Sequence, residues 1–401
     1  MRAQSIALTA LMMSVFAGSD WLPAQGLGGL LKDERMIDED QSGPLIPEDS
    51  WTLDLAGVVL RNTAGGKKLV VFGTTYDNVI RVFRRGDMID ACVTRRSDGK
   101  LLVAKSYSVQ DDQIVTAEVY GEGGNDHIQC DLGLPTRIWT ESGDDLVEVI
   151  DTVVDVQLGD GNDEFSLMGG QCNVNAGPGC DYVIASHRES LINNPIVIID
   201  GGPGDDLIDS TGFLNSLKGG SGDDLIIHRF GLLARIDGQN GNDYLIGSDE
   251  DGIIRGGDGD DVIQAGDGDE TVYGGFGNDI IVCGAGDHDV FGGPGNDLLY
   301  GGDGDDDLYG EDGDDRIKGD NGDDYLSGGE GNDRVDAYDG YRDQIILSRG
   351  TNFYCRDNLD VVSRTYFTFF VTCDALSIPE DRSFPVDLTK WTNLFGVESL
   401  D

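Results

Sequence analysis

The chain has 401 residues, 60 of them glycine, and its 75 acidic against 28 basic residues give a formal net charge of −47. That balance argues against nucleic acid or an anionic membrane surface as partner, since both repel a polyanion. So high a charge usually marks disorder, but here the acids recur at fixed positions of a period, which is the pattern of ordered metal ligands.

Taken in chain order, residues 1–24 begin with Arg2, continue with the apolar run Ile6–Gly18 and end in small residues. They read as a secretory signal peptide, too short for a good membrane span, with cleavage after Ala17 or Ala24. No other apolar run is long enough to span a bilayer. Secretion would place the chain in calcium-rich, oxidising surroundings. The seven cysteines are an odd number, so at least one is unpaired or linked to another chain.

Residues 25–50 are polar, contain Pro44 and Pro47, and read as an acidic linker. Asp38, Asp40, Ser42 and Asp49 fall on a partial EF-hand spacing. Asp49 replaces the bidentate Glu, the prolines interrupt the loop and no helices flank it, so a plain acidic linker is the better reading. Residues 51–120 change character. Short β-rich runs such as Leu69–Phe72, Val79–Phe83, Met88–Val93 and Ile114–Tyr120 are separated by Gly, Asp and Asn turns. They predict a β-rich N-terminal cap that covers the first coil of a solenoid beginning at Gly121. Arg85-Gly86-Asp87 matches an integrin-type tripeptide, but a hairpin turn between two strands explains it more simply.

Residues 121–336 hold the organising pattern. From Gly256 to Asp336 the chain reads as nine consecutive nine-residue units, GGDGDDVIQ, AGDGDETVY, GGFGNDIIV and so on. In each unit glycines permit positive φ and turn carbonyls toward one point. The sixth residue adds a carboxylate, and hard oxygen donors of this kind suit calcium rather than zinc or copper. The last three residues leave as a short strand with the eighth pointing inward. Nine residues thus give one turn and one strand, and eighteen give one coil, with coils stacked at about 4.8 Å.

This G-G-x-G-x-D-x-U-x pattern resembles the RTX, or haemolysin-type, calcium-binding repeat. The resemblance implies an all-β fold: a right-handed parallel β-roll, a β-solenoid of 18 residues per coil, with small β-rich caps at both ends. It also implies multiple calcium ions bound between stacked turns. Such arrays usually leave the cell by a type I route with an uncleaved C-terminal signal, from which the apparent N-terminal signal departs.

Upstream, turn units recur at 121, 140, 158, 176, 201, 219, 238 and 256, with spacings of 19, 18, 18, 25, 18, 19 and 18. That is the coil period, so one half of each early coil keeps the turn and the other has lost it. The long step is one coil plus seven residues, and the excess falls in Ala185–Asp200 on the turnless side. The principal face then carries Asp126, Asp145, Asp163, Asp181, Asp206, Asp224, Asp243, Asp261, Asp279, Asp297, Asp315 and Asp333 at its sixth places. The leading glycines lost from TESG and LGDG predict that some of these turns lack a site. The opposite face has Glu270, His288, Asp306 and Asp324, of which only the gap between Asp306 and Asp324 looks fully furnished. Tyr273, Phe291 and Tyr309, each eighteen apart, should stack on the outer surface. They serve either as a stabilising ladder, the simpler role, or as a sugar-binding stripe.

Like charges about 5 Å apart at an effective dielectric near 20 cost roughly 3 kcal/mol per neighbour. Repeated along a ladder, that exceeds the usual stability of a domain, about 5–15 kcal/mol. The array is therefore expected to need calcium to fold.

In residues 337–401 the repeat degrades, and Cys355 and Cys373 bracket a β-rich run, Val361–Val371. This resembles the disulfide-closed end cap that follows many such arrays and implies a Cys355–Cys373 bridge. The other cysteines leave their pairing open.

No catalytic residue emerges. There is no H-E-x-x-H, no G-x-S-x-G and no P-loop, and His127, His187, His228 and His288 are scattered singly. The expectation is a secreted, extracellular calcium-binding module of structural, surface or adhesive use, with a carbohydrate or cell-surface partner left open. The alternative is a polysaccharide-active lyase or epimerase on the solenoid surface. Clustered Arg or Lys with Asp near 185–200 would favour it.

Overall fold

The computed structural model describes residues 56–186, 195–231, 234–356, 358–364 and 368–370. The expected signal peptide, the expected linker with its EF-hand-like spacing and Cys373 lie outside the described residues. All those described belong to one compact unit, Asp54–Asp401. They form β-strands and turns, with no helix among them.

The chain enters through β1 (Gly57–Thr63), β2 (Gly66–Phe72), β3 (Asn78–Arg85), β4 (Met88–Arg95), β5 (Leu101–Ser108), β6 (Ile114–Tyr120) and β7 (His127–Asp131). Antiparallel pairing joins β1 to β2 and runs through β3, β4 and β5. Yet β2 pairs parallel with β6, and β3 parallel with β7. So β2 and β3 already form a coil of the stack, one coil before Gly121, while β1 and the β4–β5 hairpin are antiparallel additions to it. Arg85-Gly86-Asp87 makes the β3–β4 turn, with Gly86 at φ 63°. The Asp87 carboxylate is engaged there, accepting hydrogen bonds from Ser108 Oγ at 2.5 Å and the Gln110 amide at 3.1 Å.

Downstream, the coils stack as two parallel sheets facing one another. In one, Ile263, Ile281, Leu299, Ile317 and Val335 pair in register at steps of eighteen. In the other, Val272, Val290, Leu308, Leu326 and Ile345 do the same, the last step being nineteen. All ten are fully buried, so two columns of aliphatic side chains make the core. Full burial on the inner face requires the apolar eighth residue of every unit.

The early coils show why half their turns are missing. Leu146–Gln157 and Glu164–Asn175 are single twelve-residue strands whose first halves pair in one sheet and second halves in the other. The strand bends through the corner at Gly169 and Gly170, both at positive φ. At the long step, Tyr182 pairs with Leu207 and Val183 with Ile208, so the register survives the insertion. Residues 187–194, which carry the excess, lie outside the described residues.

Candidate metal centre

Each turn of the principal face ends in an Asp whose backbone amide donates to Oδ1 of the Asp one coil on. Asp261 donates to Asp279 at 2.8 Å, Asp279 to Asp297 at 2.8 Å and Asp297 to Asp315 at 2.9 Å. The file is continuous across the long step, where Asp181 donates to Asp206 at 2.8 Å. It opens at Asn78, whose amide donates to Asp126 Oδ1 at 2.7 Å, and closes at Asn352, whose Oδ1 accepts from Asp333 at 2.8 Å. Neutral asparagines thus bookend the run of carboxylates. Asn352 stands nineteen residues after Asp333 and was legible from the period. Asn78 stands 48 before Asp126 because the β4–β5 hairpin intervenes, and no spacing announces it.

One oxygen of each carboxylate is used by this file. The other, Oδ2, is buried and accepts no hydrogen bond in Asp126, Asp145, Asp163, Asp181, Asp206, Asp224, Asp261, Asp279, Asp297, Asp315 and Asp333. Asp243 stands in the same file, donating to Asp261 at 2.8 Å. A buried acceptor left unmatched costs about 1–3 kcal/mol, more when charged. Burial, with the charge of neighbouring acids, pushes these carboxyls far above their usual range. Asp224 reaches about 9, Asp126, Asp181, Asp261 and Asp297 about 8, and Asp163, Asp279 and Asp315 about 6.

The leading glycine explains what lies beside the orphaned oxygen. A methyl group added at Gly292 would collide with Asp297 Oδ2 and lie 2.9 Å from the Gly310 carbonyl oxygen of the next coil. Two acceptors from successive coils therefore flank one small cradle. Thr140 and Leu158 replace the leading glycine in two early turns, yet Asp145 and Asp163 keep both their place in the file and their unmatched Oδ2.

A second file at the fifth place runs the other way, and the sequence reading missed it. Asp260 Oδ1 accepts from the Asn278 amide at 2.7 Å, and Asn278 Oδ1 from the Asn296 amide at 3.1 Å. Similar bonds run from Asp77, accepting from Asn125, to Asn332, accepting from Thr351. The signal was present as the Asn or Asp preceding almost every sixth-place Asp. These side chains face solvent, so their role is to lock successive turns in register.

On the opposite face, His288 donates its amide to Asp306, Asp306 to Asp324, Asp324 to Asp343 and Asp343 to Asp360, at 2.8, 3.0, 3.0 and 3.2 Å. The degenerate turn after Asp336 thus continues this file by two carboxylates. Burial and acidic neighbours raise Asp324 to about 8 and Asp306 to about 6. Toward the other end, His288 Nδ1 lies 3.3 Å from the Glu270 amide and 3.1 Å from Glu270 Oε2. Burial pulls the imidazole pKa down, but the Glu270 hydrogen bond and the charges of Asp306 and Glu270 outweigh it and raise it.

A run of buried, donor-less carboxylate oxygens beside main-chain carbonyls fits a hard divalent cation that takes all-oxygen ligation. Stacked parallel coils edged in this way define a β-roll. Residues 200–231, 246–281, 284–317 and 309–341 match the family described as RTX calcium-binding nonapeptide repeat, so this part of the chain carries that repeat. The carboxylate file begins well upstream of those matches, at Asp126. No curated protein matches the chain.

Among the described cysteines, Cys92, Cys130, Cys172, Cys180 and Cys283 are free, and Cys355 is disulfide-bonded. Tyr273, Phe291 and Tyr309 stack with centroids 5.1 and 5.0 Å apart. Arg255 caps one end of the row at 5.1 Å from the Tyr273 ring, and Tyr325 tilts onto the other at 5.4 Å.

Proposed function

We propose that the chain is an extracellular module that stays unfolded where calcium is scarce and becomes a rigid β-roll where it is abundant. In this reading the sixth-place aspartates, Asp126 to Asp333 on one face and Asp306 and Asp324 on the other, are the ligands. Bound calcium supplies the positive charge that the stacked carboxylates lack. The chain's residues do the rest: Oδ1 fixes each coil on its neighbour, Oδ2 is presented to the cradle, and the leading glycine keeps that cradle open. The observation that carries the reading is the file of buried Oδ2 atoms with no donor. The reading of residues 1–24 as a signal peptide agrees with it, and the expected calcium affinities are about 10⁻⁴–10⁻³ M, ordinary for extracellular modules.

A structural or adhesive role is supported by the aromatic row. Rings stacked face to face cover one another and present edges, whereas a sugar packs on an open ring face. Enzyme chemistry on polysaccharide draws on one feature, the Arg229–Asp209 pair in the strand region after the 185–200 insertion. There the guanidinium already grips both Asp209 oxygens at 2.9 and 3.1 Å, and His228, Ser210 and Asn215 beside it are buried. Turnover of uronate polymers, lost in Arg229→Ala, would support that second reading.

The deciding experiment is a circular dichroism titration of the full chain. Calcium should produce cooperative growth of β signal from a largely disordered chelated state. Full β signal in excess chelator would sink the proposal.

A further inference from the structure

The degenerate turn after the last regular repeat places a third acid beside the second file. Asp324, Asp339 and Asp343 each bring one carboxylate oxygen within 4.8 Å of the other two. Asp324 and Asp343 are 2 % and 1 % exposed, whereas Asp339 is half-buried at the rim. Asp339 does not belong to the nonapeptide pattern: it is the third residue of Ala337–Arg342, where the pattern has a variable position, and one extra residue precedes Asp343. It is held by two amides, accepting from Tyr341 at 2.9 Å and from Gly322 at 3.3 Å.

The independent sign of a ligand is Asp324 Oδ2. It is buried and accepts no hydrogen bond, although Asp324 Oδ1 accepts from the Asp306 amide at 3.0 Å. No Lys or Arg among the described residues forms an ion pair with Asp324. A buried carboxylate faced by two more carboxylates stays ionised only at a high cost unless a cation lies among them.

We propose that Asp324, Asp339 and Asp343 form a three-carboxylate divalent-cation site at the C-terminal end of the second file, tighter for calcium than the gaps between consecutive sixth-place acids. The proposal rests on the calcium-binding reading above and adds to it a ligand, Asp339, from outside the repeat. Ligand charge count is a main determinant of calcium affinity in all-oxygen sites. The half-buried position of Asp339 leaves it next to solvent, so an ion can reach the cluster without passing through the coil. Mg²⁺ should compete poorly, because a rigid carboxylate cluster does not let it keep the several waters it normally retains.

The test is a binding isotherm of radioactive calcium on the full chain, measured beside far-ultraviolet circular dichroism. Asp339→Asn keeps the acceptor oxygen for Tyr341, gives up the longer bond from Gly322 and removes the charge. It should weaken the tightest site by about tenfold or more while leaving the β signal at saturating calcium unchanged. Asp287→Asn, which removes an exposed charge on the same face, should leave that site as it was. An Asp339→Asn isotherm superimposed on that of the unmodified chain overturns the proposal while leaving calcium-dependent folding intact. Loss of β signal that tenfold more calcium cannot restore also overturns it, since Asp339 would then be structural. Full β signal of the unmodified chain in chelator would remove both readings together.

Discussion

The amide of Asp261 donates to Oδ1 of Asp279 at 2.8 Å, while Oδ2 of Asp279 is buried with no donor. One carboxylate thus has two separable duties, holding the next coil and facing the cradle. Asp279→Asn preserves the first and removes the charge needed for the second. It should raise the calcium midpoint while leaving the saturated fold almost as stable. Asp279→Ala loses both and strands the Asp261 amide, at about 1–3 kcal/mol. Urea unfolding in saturating calcium should separate the two variants. Equal stability would mean that the Oδ1 bond contributes nothing.

Metal-free folding should depend on pH in an unusual direction. These carboxyls have folded values raised from the ordinary 3.8 to about 6 for Asp279 and about 8 for Asp261 and Asp297. A group whose folded pKa is raised contributes stability that is complete below its unfolded value and is lost as pH rises through the folded one. In chelator, β signal should therefore grow as pH falls from about 8 to about 5. A metal-free spectrum unchanged over that window would contradict the burial of the file.

Gly292→Ala tests the cradle. The added methyl meets Asp297 Oδ2 and the Gly310 carbonyl at once. Crowding of this kind costs about 1–3 kcal/mol, and the expected result is one fewer calcium ion with the neighbouring gaps retained. An unchanged stoichiometry would place the ion elsewhere in the turn.

The free cysteines report folding directly. Burial pushes the thiols of Cys130 and Cys172 up to about 12 and that of Cys283 well above 9. A thiol reagent at pH ~8 should leave these three unmodified in calcium and label them rapidly after chelation, since only the thiolate reacts. Labelling at one rate in both conditions would contradict a calcium-dependent core.

Periodicity by itself determined the coil. A side chain that must point inward every nine residues, with glycine turns between, has few other ways to bury itself, so the eighteen-residue register and the principal file of twelve aspartates could be read directly. The step of 25 between Asp181 and Asp206 was readable for the same reason, because only the turn face has to stay in phase. What the period could not show lies where the repeat breaks. Asn78 heads the file across a hairpin of non-repeat sequence, and Asp343 and Asp360 extend the second file through a turn with an added residue. The split of each carboxylate into a bonded Oδ1 and an unmatched Oδ2 depends on the stacking distance and on which amide points where. Asp339 meets Asp324 and Asp343 only because the chain folds back between coils. Contacts across coils are set by three-dimensional register, and a sequence shows that register only where it repeats.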